Sequence, residues 1–252
     1  MFKTVSSHVS SGLPETLLAN VLSGLPKTFL SELFQDAVAH KLREGEVLFR
    51  AGDVGDGCYR IQTGLVKVVV TSRLGEERII SLLGPGAIVG ELSVIDGKPR
   101  SASVIAIADC LLSFFSRARF QTCIDSHPEL TTYLVRTLAR RLREADEALA
   151  ATTFLSVKQR LALALLSIAE YVGEKDGSGR IHLRLKISQG DLAAMAGVAR
   201  ENVSRTLSEW RKRNIVTRST YYYCINNPRA LTKDMEIDTV RAFTQSGRDT
   251  ED

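Results

Sequence analysis

None of the four cysteines, Cys58, Cys110, Cys123 and Cys224, stands near enough to another to form a C-x-x-C pair. That spacing excludes the usual zinc and iron–sulfur motifs and offers no disulfide framework. The four histidines, His8, His40, His127 and His182, are equally scattered, so no metal-dependent phosphodiesterase site is visible. No nucleophile, base or metal constellation appears, and an enzyme is not expected. No apolar run approaches the roughly 20 residues of a membrane helix. The opening MFKTVSSHVSSGLPETLL lacks the basic-then-apolar order of a secretory signal. A cytoplasmic protein without membrane contact is expected. What remains is a composition of 44% hydrophobic and 25% charged residues over 252 positions. That is ample core for one large domain or two ordinary ones.

The net charge of +4 is unevenly spread. Residues 1–155 hold 17 Lys/Arg against 17 Asp/Glu, residues 156–233 hold 14 against 6, and residues 234–252 hold 2 against 6. The basic excess therefore belongs to one segment, as expected of a footprint for a polyanion.

Along the chain, apolar residues between Leu13 and about Ala39 suggest two short amphipathic helices split at Gly24–Pro26. From His40 the pattern changes to short β-branched or aromatic segments, EVLFR, CYRIQ, LVKVVV, RIISLL, SASVIAI and LLSFF, separated by glycine-rich turns. Such spacing predicts an antiparallel roll or barrel. A small helix follows, and then a helix starting near Pro128 that no proline or glycine interrupts as far as Leu155. Val135, Leu138, Leu142, Ala145, Leu149 and Thr152 fall at alternating three- and four-residue steps, an a/d seam. The seam serves either a parallel dimer or packing on the chain's own roll. Leu161, Leu165, Ile168 and Ala169 mark the core face of the next helix, EKDGSGR at 174–180 a surface loop, and IHLRLKI a strand.

Two stretches carry chemistry. The first, LLGPGAIVGELSVIDGKPRSASV at 82–104, places Gly90, Glu91 and Leu92 nine residues before Arg100, Ser101 and Ala102. A helical turn after Gly90 would aim backbone N–H groups and a positive dipole end at an anion. Arg100 adds a planar fork of donors and Ser101 a hydroxyl. Glu91 repels phosphate but accepts from a ribose hydroxyl. Together they suit a nucleotide whose phosphate lies close to its ribose. The alternative is a roll that keeps the shape without a ligand, Glu91 and Arg100 pairing with each other.

In the second stretch, ISQGDLAAMAGVARENVSRTLSEWRKRNIV, Ser188 and Asp191 have capping-box spacing at a helix start where Ser188 and Gln189 are candidate DNA contacts. Leu192, Ala193 and Ala196 face inward, and Gly197 permits a sharp turn. A helix over about 200–213 buries Val203, Leu207 and Trp210 and leaves Arg200, Glu201, Ser204 and Arg205 outward. This is helix-turn-helix spacing, with the second helix suited to the major groove. Arg can bond guanine O6 and N7, and Glu can accept from cytosine N4. The alternative is an exposed Glu201–Arg205 pair worth only tenths of a kcal/mol. Lys212 and Arg218 are candidate phosphate contacts, Arg218 in RSTYYYCI, a segment that resembles the β-wing of winged-helix domains.

The first stretch closely resembles the phosphate-binding cassette of cyclic-nucleotide-binding domains, G-E-[LI]-[AGS], a short spacer, then R-[SAT]-A. The resemblance implies a site that includes Val89, Gly90, Glu91, Leu92, Ser93, Arg100, Ser101 and Ala102. A-R-E-N-V-S-R is similar to the recognition helix of the cAMP receptor protein family, S-R-E-T-V-x-R, carried here by Arg200, Glu201 and Arg205. Val198-Ala199 departs from it where Ser or Thr often caps the helix, a difference of about 1 kcal/mol. Over residues 28–230 the order matches the Crp/Fnr superfamily in its cyclic-nucleotide-binding branch. The N-terminal cysteine cluster of the oxygen-sensing branch is absent.

The resemblance implies an α+β fold. Helices and an antiparallel jelly roll occupy 1–127, a dimerisation helix and hinge 128–157, a winged helix-turn-helix 158–233, and an acidic, frayed tail 234–252. It implies a homodimer reading a palindromic operator, with RNA polymerase as a further partner. No cofactor is expected beyond an allosteric cAMP or cGMP, cAMP ranked first. In cAMP receptors, adjacent Thr and Ser of the dimer helix meet the adenine amino group; aligned through FLSVKQR, those places are Ala145 and Asp146. Ala145 cannot bond through its side chain, whereas Asp146 could accept from either purine or simply be solvated. A ligand-independent regulator, or a module controlling an enzyme in trans, would share much of this pattern.

Overall fold

A computed structural model describes Phe29, Phe34 and residues 37–136, 138–139, 142–143, 155–220 and 222–235. They fall into two compact units, one before residue 151 and one after it.

The first unit is built from eight antiparallel strands in two sheets. One sheet has the order β1 (Val38–Leu42), β8 (Cys110–Ser116), β3 (Gly57–Thr63), β6 (Ile88–Val89). The other has the order β2 (Val47–Phe49), β7 (Ser103–Ala106), β4 (Val66–Thr71), β5 (Glu77–Leu83). Alternation along β3 explains the layering. Ile61 joins Leu42, Val66, Val104 and Leu112 in a core drawn from both sheets, while Cys58 enters a second core with Phe115. That second core also takes Val94 of α1 (Glu91–Asp96) and Phe120 and Cys123 of α2 (Arg117–Ser126). It is completed by Leu130 and Leu134 from α3, which is helical over 129–136 and again at 138–139 and 142–143.

One expectation changes here. Val38 and Ala39 are strand rather than helix end, because they pair with Phe114 and Ser113 of β8. Ile88 and Val89, inside the cassette, form a short strand on β3. Of the expected N-terminal helices only Phe29 and Phe34 are among the described residues. Of the seam, Val135 and Leu142 are 60% and 65% exposed and Leu138 packs on the second core; Ala145, Leu149 and Thr152 lie outside the described residues.

The second unit has a four-stranded antiparallel sheet, β11 (Val216–Ser219), β12 (Tyr222–Ile225), β10 (Ile181–Leu183), β9 (Gly173–Lys175). Around it stand α4 (Val157–Val172), α5 (Gln189–Ala196), α6 (Arg200–Lys212) and α7 (Pro228–Met235). Leu161, Leu165, Ile168, Leu192, Val203 and Trp210 fill its core. The expected loop at 174–180 begins as strand: Glu174 and Lys175 pair with His182 and Ile181. The expected end of the folded part at residue 233 falls inside α7, so Asp234 belongs to the domain and not to a frayed tail. Among the described residues no helix is long and apolar enough to cross a membrane.

Candidate nucleotide and nucleic-acid sites

Strand β6 ends at Gly90, whose φ of 84° is left-handed, and α1 starts at once on Glu91 with no side-chain cap. A Cβ at Gly90 would lie 2.3 Å from Arg100 Nη1, so both the dihedral and the space call for glycine. Arg100 is only 4% exposed. Its Nη1 donates to the Gly90 carbonyl at 2.7 Å, its Nη2 lies 3.4 Å from Asp56 Oδ1, and its guanidinium carbon stands 4.3 Å from the Phe49 ring centroid. Its Nε is buried without a hydrogen-bond partner. A buried cation with a donor to spare is stabilised by an anion that supplies charge and acceptors together.

The other cassette residues divide by exposure. Glu91 and Ser93 are buried at 7% and 2%, Val89 and Ala102 are buried, and Leu92 and Ser101 are exposed. Burial pushes the Cys58 thiol up, the Glu91 and Asp56 carboxylates add to this, and Arg100 opposes it. Ala145 and Asp146 lie outside the described residues. Among the described residues no group of His, Cys, Asp or Glu could hold a metal.

Several supporting residues escaped the sequence reading. Arg117 Nη2 donates to the carbonyls of Gly55 and Ser93, at 2.9 and 2.6 Å, tying the 51–57 loop to α1. A Cβ at Gly55 would lie 2.2 Å from Ser93 Cβ. The glycines of AGDVGDG flagged a turn but not its contact with the cassette. Nothing local marks Phe49, Asp56 or Arg117, whose partners are distant in sequence.

In the second unit the expected capping box is present: Ser188 Oγ accepts from Asp191 N–H at 3.0 Å, and Asp191 Oδ2 accepts from Ser188 N–H at 3.1 Å. The Ser188 hydroxyl also donates to Asp191 Oδ2, at 2.6 Å. Gly197 closes α5 in the left-handed region, and Ala199 begins α6 without a side-chain cap. Arg200, Glu201, Ser204 and Arg205 are exposed, while Val203, Leu207 and Trp210 are buried. A cleft of about 330 Å³ between α6 and the β11–β12 wing brings together Gln189, Ser204 and Arg218. Arg211 and Thr217, which the sequence reading did not single out, also line it. Arg200, Glu201, Arg205 and the exposed Lys212 lie outside its lining. The arrangement offers an exposed helix face for base edges and, beside it, a cleft whose Arg211 and Arg218 suit a phosphodiester strand.

A β-roll with an Arg–Glu cassette, joined in one chain to a winged helix-turn-helix, defines a class: DNA-binding regulators carrying a cyclic-nucleotide-type sensor domain. Two family models match, the cyclic nucleotide-binding domain over residues 39–127 and the Crp-like helix-turn-helix domain over residues 159–233. The chain is 36% identical over 173 residues to the cyclic AMP receptor protein of Thermus thermophilus, covering 69% of this chain and 76% of that protein. It is 32% identical over 169 residues to the CRP-like cAMP-activated global transcriptional regulator of Mycobacterium tuberculosis, covering 67% of this chain and 75% of that protein. FixK2 from Bradyrhizobium japonicum shares the fold with a TM-score of 0.67 at 19% identity, covering 80% of this chain and 98% of that one. The chain belongs to the Crp/Fnr family of DNA-binding transcriptional regulators.

Proposed function

We propose that the chain is a homodimeric, cytoplasmic regulator whose roll binds a 3′,5′-cyclic nucleotide and whose winged helices read a palindromic duplex in response. The observation that carries the nucleotide reading is Arg100, buried in the cassette with Nε unpartnered. A phosphate supplies the missing acceptor and the compensating charge, and Glu91 takes the ribose. Homodimerisation rests on the 60% and 65% exposure of Val135 and Leu142, at a seam spacing that suits a symmetric partner. Two copies of α6 would then meet successive major-groove half-sites about 34 Å apart. The ligand acts to the extent that it binds the DNA-competent arrangement more tightly than the other. RNA polymerase is the partner through which promoter occupancy would be felt.

cAMP is the first choice of ligand, supported by the names of the two relatives. Asp146 is the residue on which base choice turns, since a carboxylate accepts from the adenine N6 amino group or from guanine N1–H and N2. Calorimetry with cAMP and cGMP on the full chain and on Asp146→Ala tests this. Loss of affinity for one nucleotide in the variant assigns the base contact. Unchanged affinity for both removes Asp146 from the site, and heat from neither nucleotide on the unaltered chain overturns the ligand reading.

A further inference from the structure

The first turn of α4 has a local peculiarity. Its N-terminal end carries the positive pole of the helix dipole, yet it holds Lys158 and Arg160 and no acid. Such a violation of a local rule calls for distant compensation, and the structure supplies it at both ends of the recognition helix α6. Arg160 Nη1 donates to the carbonyl of Gly197, in the turn that leads into α6, at 3.1 Å. Lys158 Nζ pairs with Glu209 near the other end of α6 and lies 3.5 Å from Asp234 Oδ2.

Asp234, on α7, is the acceptor that completes this bracket. Its Oδ2 takes the indole N–H of Trp210 at 2.9 Å and Arg213 Nη1 at 3.0 Å. Arg213 also reaches Glu209, at 3.2 Å. Trp210 is fully buried, and a buried indole N–H needs an acceptor. One carboxylate thus joins α4, α6 and α7, and its side chain is 15% exposed against 45% for Arg213.

We infer that Asp234 is a positioning residue for DNA reading: with Lys158 and Glu209 it fixes the rotation and tilt of α6 against the first turn of α4. Base readout depends on that setting, because a bidentate Arg contact tolerates little displacement. Non-specific attraction depends on neutralised phosphates and tolerates much more. Loosening the bracket should therefore lower discrimination more than general affinity. Releasing Lys158 and Arg213 from their carboxylates adds to the general attraction if it changes it at all.

The test uses the full chain and a duplex that the unaltered chain selects from a random-sequence pool, in saturating cAMP and without it. Binding to this duplex and to a scrambled one is compared for the unaltered chain, Asp234→Asn, Trp210→Phe and the double variant, with thermal melting recorded for each. Expected is a loss of about tenfold on the selected duplex, with the scrambled duplex unchanged within about twofold or tighter, and a non-additive Trp210→Phe/Asp234→Asn pair. The inference fails if a folded Asp234→Asn chain binds the selected duplex within about twofold of the unaltered one. It also fails if both duplexes weaken equally, since that reports lost charge or lost fold rather than lost positioning. Should Asp234→Asn not fold, Trp210→Phe and Glu209→Gln decide by the same criteria. None of these outcomes depends on whether cAMP binds the roll, which the two ligand conditions report separately.

Discussion

Arg100 donates to the carbonyl of Gly90 at 2.7 Å, so the cation in the second half of the cassette is bonded to the glycine that precedes α1. The bond closes the eleven residues from Gly90 to Arg100 into a ring. The guanidinium is further held by the Phe49 face and by Asp56. Such preorganisation lowers the ordering cost that a small ligand would otherwise meet.

The close fit of the 51–57 loop against α1 gives a first prediction. In Gly55→Ala the new Cβ would lie 2.2 Å from Ser93 Cβ and 3.4 Å from the Arg100 guanidinium carbon. Overpacking of this kind costs about 1–3 kcal/mol. A lower melting temperature and weaker cyclic-nucleotide binding are expected together, by thermal melts and calorimetry. An unchanged melt would show that the loop yields freely and does not brace the cassette.

On the DNA side, exposed arginines of α6 and basic residues near the wing should separate by kind. Arg205→Ala is expected to cost about 1–3 kcal/mol on the preferred duplex and to relax preference at one base position. Lys212→Ala or Arg211→Ala should weaken all duplexes alike and reduce the salt slope by about one. Competition with single-base variants, repeated at several salt concentrations, distinguishes the two patterns.

The bracket around Asp234 has an acid signature. Hydrogen bonding from Lys158 is the chief cause holding Glu209 below its ordinary 4.5. Burial pushes Asp234 up, but Trp210, Arg213 and the charge of Lys158 outweigh it and leave the carboxyl below 3.8. Depressed carboxyls bind protons more readily in the unfolded chain. Their contribution is therefore complete above about pH 5 and is lost as pH falls through the folded values. The melting difference between the unaltered chain and Asp234→Asn should shrink on acidification below about pH 4. A constant difference would mean that the carboxylate charge is not what holds the bracket.

Much of this architecture is legible in the sequence where the signal is local. Short strands between glycine turns gave the roll, Ser188 and Asp191 the start of α5, and the spacing of Val203, Leu207 and Trp210 the buried face of α6. Val38–Ala39 read as the end of a helix because their strand character comes from pairing with β8, far along the chain. Phe49 and Asp56 carry no local mark of the site, since only folding brings them to Arg100. Asp234 read as the first acid of a polar tail, because a carboxylate's importance here lies in Trp210, 24 residues away.

The coupling of the two domains is tested most directly by titrating the selected duplex with the unaltered chain and with Arg100→Ala, each with and without saturating cAMP. The expected result is at least about tenfold tighter binding by the unaltered chain when cAMP is present, and no such gain in Arg100→Ala. Equal binding of the unaltered chain with and without cAMP, or an equal gain in Arg100→Ala, would contradict it.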